Sequence, residues 1–109
     1  MEINKLKGII AKWARSEPLV TKAYLYGSRT QGERLSSSDV DVAVELKMMP
    51  NDSSLFTTWM HEQQGLHDRL QNLLPCKLHL EWYGGKEDTP TIHKGIKNSG
   101  ILIYKKNEK

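Results

Sequence analysis

Leu25-Tyr26-Gly27-Ser28-Arg29-Thr30-Gln31-Gly32-Glu33-Arg34-Leu35-Ser36-Ser37-Ser38-Asp39-Val40-Asp41-Val42-Ala43-Val44 is the stretch whose reading decides the fold. At its end, Val40, Val42 and Val44 alternate with Asp39, Asp41 and Ala43. That period of two predicts a strand with one apolar and one polar face. At its start, Gly27 closes a run from Val20 to Tyr26 rich in β-branched and aromatic side chains, a second strand. Gly27 and Gly32 have the spacing of a phosphate-binding P-loop, but Glu33-Arg34 stand where that motif needs Lys-Ser/Thr. The dinucleotide fingerprint needs a different pattern of three glycines and is also excluded.

What remains in the stretch is chemically specific. A glycine at a strand end lets the backbone approach a ligand closely. The hydroxyl of Ser28 and neighbouring backbone N–H groups can hold phosphate oxygens, and Arg29 adds a permanent charge beside them. Asp39 and Asp41 lie two apart on a strand, so their carboxylates leave one face, ~7 Å apart at the backbone. Their mutual repulsion is relieved by a divalent cation, and Mg²⁺ suits one or two carboxylates plus substrate phosphates. Together these are the parts of metal-assisted transfer from a nucleoside triphosphate.

Working outward, Ile3, Leu6, Ile10 and Trp13 form the stripe of an amphipathic helix that must stop before Pro18. Pro50 to Ser54 is a turn with ready helix caps. A helix then spans roughly Leu55 to Leu74, with Leu55, Trp59, Leu66, Leu70 and Leu73 on its apolar side, and Pro75 closes it. Leu78, Leu80 and Trp82 alternate with Lys77, His79, Glu81 and Tyr83, a third strand. Gly84-Gly85 opens a loop, Thr89-Pro90 caps and starts a helix to about Asn98, and Gly100 stops it. Ile101 to Tyr104 can add an edge strand. The expected fold is α/β (α+β): a mixed β-sheet with helices packed mainly on one side.

The 109 residues argue for a single domain over 1–109, with no repeat or linker dividing it. No apolar run approaches the ~20 residues of a membrane span, and the N-terminus lacks the layout of a signal peptide. The expected location is therefore cytoplasmic. Cys76 is the only cysteine, so an internal disulfide is excluded and an inert packing role is expected. The formal charge of +3 is spread along the chain, which disfavours a nucleic-acid partner. Trp13, Trp59 and Trp82 read as core, and His61, His67 and His93 as packing or surface residues. Tyr24 and Tyr26 share a strand face and read either as core or as the rim of a cleft.

Gly27-Ser28, ten residues, then Asp39-x-Asp41 resembles the signature of the DNA polymerase beta nucleotidyltransferase superfamily. Tyr24-Leu25-Tyr26, Arg29, Gly32 and Ser38 fit its minimal, single-domain members. The likeness is clearest over 20–46 and continues more loosely to Lys94-Gly95-Ile96 and Ile103-Tyr104. It implies that Gly27, Ser28 and Arg29 hold ATP, that Asp39 and Asp41 bind two Mg²⁺ ions, and that AMP passes to an acceptor hydroxyl. Minimal members commonly carry a third acid early in the third strand, after a basic and an aliphatic residue. Lys77-Leu78 match those two, but His79 follows. Glu81, on the same strand face, is taken as the third carboxylate, catalytic and metal-binding, with His79 a helper or a bystander. With neither in that role, the chain is a degenerate nucleotide-binding or antitoxin-like partner protein. After Asp41 only 68 residues remain, too few for the helical domain that shapes the acceptor side in larger members. Minimal members are often paired with a small helical HEPN-type protein, so the acceptor is expected on such a partner. Homo-oligomerisation, base preference and biological process stay open.

Overall fold

The computed structural model describes residues 3–27 and 39–107. Helix α1 (Ile3–Ser16) buries Leu6, Ile10 and Trp13, the predicted stripe, with Ala14 beside them. Strands β1 (Val20–Tyr26) and β2 (Val40–Leu46) follow. Then come α2 (Leu55–Gln71), β3 (Leu78–Trp82), α3 (Gly85–Asp88), α4 (Pro90–Ser99) and β4 (Ile101–Lys105). The sheet order is β3-β2-β1-β4. β1 pairs antiparallel with β2 and β4, while β2 and β3 are parallel. The mixed sheet is as expected, and the parallel pair follows from its connection: parallel neighbours need a crossover, which α2 supplies.

The alternation in β2 sorts its two faces. Val40, Val42 and Val44 are fully buried with Ala23, Leu25, Leu78, Leu80 and Trp82 in one core that α1 and α2 close. Trp59, Leu66 and Leu70 are the α2 contribution. Tyr24, Tyr26, Asp41, His79 and Glu81 leave the opposite face. There α4 lies along one end: a Cβ on Gly95 would meet the Tyr26 ring at 3.2 Å, and His93 Nδ1 is 2.6 Å from the Tyr83 hydroxyl. The two long helices thus share one side, and on the other, among the described residues, Asp41 and His79 are half-buried and Glu81 is exposed.

Three local readings are corrected. Helix α2 ends at Gln71, short of Leu74: the Leu73 and Leu74 N–H groups bond three residues back, to Leu70 and Gln71, while the Gln71 amide donates to the Cys76 carbonyl and accepts from the Leu78 N–H. The chain therefore leaves helical geometry early, exposing Leu73 and burying Leu74 in its place. Leu55 is exposed as well, lying in the first turn beyond the core's reach. Gly85, at a φ of 94°, starts the one-turn α3 where a plain loop was expected. Among the described residues, no helix is long and apolar enough to cross a membrane.

One buried charge ties the helices together. Glu17, 7% exposed, receives two hydrogen bonds from the Arg69 guanidinium at 2.6 and 3.0 Å, joining the end of α1 to α2. The partners differ in exposure, so the two deletions differ in cost. Arg69→Leu strands a buried carboxylate and is expected to cost about 3 kcal/mol. Glu17→Gln leaves the guanidinium free to rehydrate and should cost about 1–1.5 kcal/mol. Urea unfolding of the two variants checks the order; equal losses would contradict it.

Candidate active site

The polar face of the sheet is laid out by register. Asp41 sits between Tyr26 on β1 and His79 on β3, and Ala43 between Tyr24 and Glu81. Ala43 is fully buried although it faces away from α1 and α2. Tyr24 and Glu81 flank it in register, and the Tyr24 ring meets that of Tyr83, just past β3, edge-on with centroids 5.6 Å apart. Tyr24 also donates a 2.5 Å hydrogen bond to Glu45, which with burial holds its hydroxyl protonated well above the ordinary range. Both tyrosines thus belong to the rim of the polar face, not to the core.

At the other end of β2 the carboxylates gather. The Val40 N–H donates to the Lys77 carbonyl at 2.9 Å, which draws the residue before β2 alongside the start of β3. Asp39 is consequently within 2.6 Å of His79 Nε2, an imidazole N–H donating to carboxylate Oδ2. Asp41 is half-buried, and its carboxyl holds its proton more tightly than usual. Burial is the main cause, the Asp39 charge adds to it, and His79 opposes it. Tyr26 records the same field: burial, then Asp41, then Glu81 push its hydroxyl up to about 12.

Gly27 is where the backbone meets this acid. Its φ of 87° lies in the left-handed region that favours glycine. A Cβ there would come within 2.5 Å of Asp41 Oδ2, so only glycine lets the carboxylate seat against the chain. Its N–H donates to Ser99 Oγ at 3.0 Å, at the end of α4. That amide is engaged inside the protein, and Gly27 contributes conformation and clearance at this point.

Of the site residues expected from sequence, Asp39 and Asp41 are brought together beside Gly27. Glu81 shares their face but pairs with Ala43, one step farther along β3 and exposed, so His79 is the β3 residue at the aspartates. Ser28 and Arg29 lie outside the described residues. Ser99 was missed, because a serine near a helix end carries no sequence signal for a contact 72 positions away. Among the described residues, no three His, Cys, Asp or Glu side chains form a group that could hold a metal ion. Two half-exposed carboxylates of like charge still fit Mg²⁺, which is commonly held by one or two carboxylates while substrate phosphates complete its shell.

Comparison with known proteins bears on the family and the fold. Residues 8–109 match the family described as Polymerase beta, Nucleotidyltransferase. No curated protein matches the chain significantly. Among solved structures, one of a toxin–antitoxin with AMP-PNP is 21% identical with a TM-score of 0.66, covering 93% of this chain and 74% of that one. A toxin–antitoxin MntA–HpeT mutant with two aspartates changed to glutamate is 19% identical at a TM-score of 0.63, over 93% and 74%. A second MntA–HpeT mutant, with a tyrosine changed to alanine, is 20% identical at 0.64, over 98% and 75%. At these identities the likeness concerns the fold.

Proposed function

This chain belongs to the polymerase beta nucleotidyltransferase family, and we propose that it moves AMP from ATP to a hydroxyl on a partner protein. The observation that carries the reading is the Asp41 carboxylate seated against the glycine-only position 27, with Asp39 close enough for its charge to act on it. Asp39 and Asp41 would hold Mg²⁺, which when bound neutralises phosphate charge and makes the α-phosphorus a better electrophile. Ser28 and Arg29 would bind the triphosphate oxygens. His79 keeps Asp39 oriented through its N–H. Glu81, exposed on the same face, would take the proton of the acceptor hydroxyl. The hydroxyl oxygen bonds to the α-phosphorus, the bond to the bridging oxygen breaks, and pyrophosphate leaves with that electron pair.

The protein acceptor is supported by the fold likeness to chains solved as toxin–antitoxin pairs, and by the exposure of Glu81 on the face that carries Asp41. A docked partner of the small helical HEPN type would present its hydroxyl in a fixed orientation. His79 in place of a third acid favours a second reading, a degenerate nucleotide-binding partner.

Calorimetry should find ATP binding in Mg²⁺ and loss of most of the affinity in chelator; equal affinity in both would count against the site. With labelled ATP, Mg²⁺ and the product of the adjacent reading frame, mass spectrometry is expected to place AMP on that protein. Label found only on RNA ends or on a small hydroxylated compound would remove the protein acceptor.

A further inference from the structure

Gly27 poses a physical problem. The position must be glycine to take a φ of 87° and to leave room for Asp41 Oδ2. Glycine is also the residue with the most backbone freedom, so a turn built on it wanders unless something outside holds it. Ser99 is placed to do this. Its Oγ accepts the Gly27 N–H at 3.0 Å and lies 3.3 Å from the Gly95 carbonyl, to which its hydroxyl donates. With its single hydrogen committed to Gly95, the oxygen presents lone pairs to Gly27. Helix α4 is itself seated on β1 next to this bond, since Gly95 has no side chain and lies against the Tyr26 ring. The bond therefore runs from a docked helix to the residue against which the carboxylate rests.

We propose that Ser99 is a positioning residue: through Gly27 it fixes the seat of the Asp41 carboxylate. It touches no reacting atom. Its catalytic consequence rests on the nucleotide-transfer reading above, whereas its hold on Gly27 does not.

Two measurements separate these. In the nucleotide-free chain, amide hydrogen exchange at Gly27 should be protected, should accelerate about ten-fold in Ser99→Ala, and should be restored by Ser99→Thr, which keeps a hydroxyl. In the transfer reaction, Ser99→Ala should lower kcat about ten- to a hundred-fold, because misplacement acts in the transition state. Affinity for Mg·ATP should change less than about three-fold, and Ser99→Thr should recover kcat. Unchanged Gly27 exchange in Ser99→Ala overturns the proposal. So does a parental kcat in that variant, or a fall in kcat that tracks a lower melting temperature and is not recovered by threonine. A parent chain without Mg²⁺-dependent transfer overturns the transfer reading instead, and the exchange measurement still decides the hold on Gly27.

Discussion

Asp41→Asn is expected to yield a folded chain that has lost the proposed nucleotide transfer. The substitution keeps the size and the hydrogen-bonding reach of the side chain and removes one negative charge beside Asp39. If the two carboxylates balance the charge of Mg²⁺ and a triphosphate, the loss acts on the transition state, and turnover should drop by ~10²-fold or more. Stability should move the other way. The folded environment already disfavours the charged form of Asp41, chiefly through burial and, against the opposing pull of His79, through Asp39. A neutral amide escapes both effects, so the melting temperature at neutral pH should hold or rise. Differential scanning calorimetry beside a single-turnover labelling assay reads the two together. A variant that is inactive because it has unfolded would contradict the placement of Asp41 on the polar face.

Glu81→Gln and His79→Gln should differ widely. Glutamine at 81 keeps shape and loses the anionic oxygen needed to accept the acceptor's proton, so turnover should fall by ~10²-fold or more. At 79, glutamine can still donate an N–H toward Asp39, and the loss should be no more than about ten-fold. The 2.6 Å contact between His79 and Asp39, set against the exposure of Glu81, makes the comparison a sharp one. Effects in the reverse order would make His79 the third group of the site and Glu81 an ordinary strand residue. A parent chain that binds Mg·ATP yet shows no transfer to any acceptor would establish the degenerate reading.

Much of this molecule is legible locally. The valines of β2, spaced by two, place Asp41 opposite the core with no further information, because side chains alternate along any extended strand. The stripe Leu6, Ile10 and Trp13 predicts the buried side of α1 by the same kind of reasoning. Pro90 and Gly100 bound α4 as expected, since proline suits a first helical turn and Gly100 ends the run, but the Thr89 hydroxyl bonds to Gly84 and Gly85 and does not cap α4. Local reading failed where a side chain answers to a distant partner. Past Gln71 the backbone of α2 tightens into bonds three residues back while the Gln71 amide bonds to the backbone of Cys76 and Leu78, and Leu73, apolar and correctly spaced, is left outside.

The sequence by itself determined the elements, their order, the apolar and polar faces of each strand, and the pairing of Asp39 with Asp41. Each depends on a period or a turn residue acting over a few positions. Only the tertiary structure decided that β3 lies parallel to β2 with His79 level with Asp41, which puts an imidazole rather than Glu81 at the aspartates. It alone brought Ser99 to Gly27 and Gly95 to Tyr26. Strand register and helix docking are chosen by the packing of whole faces against one another. A one-residue slip in β3 would turn His79 and Glu81 into the core, and that penalty arises only once the strands and helices are assembled.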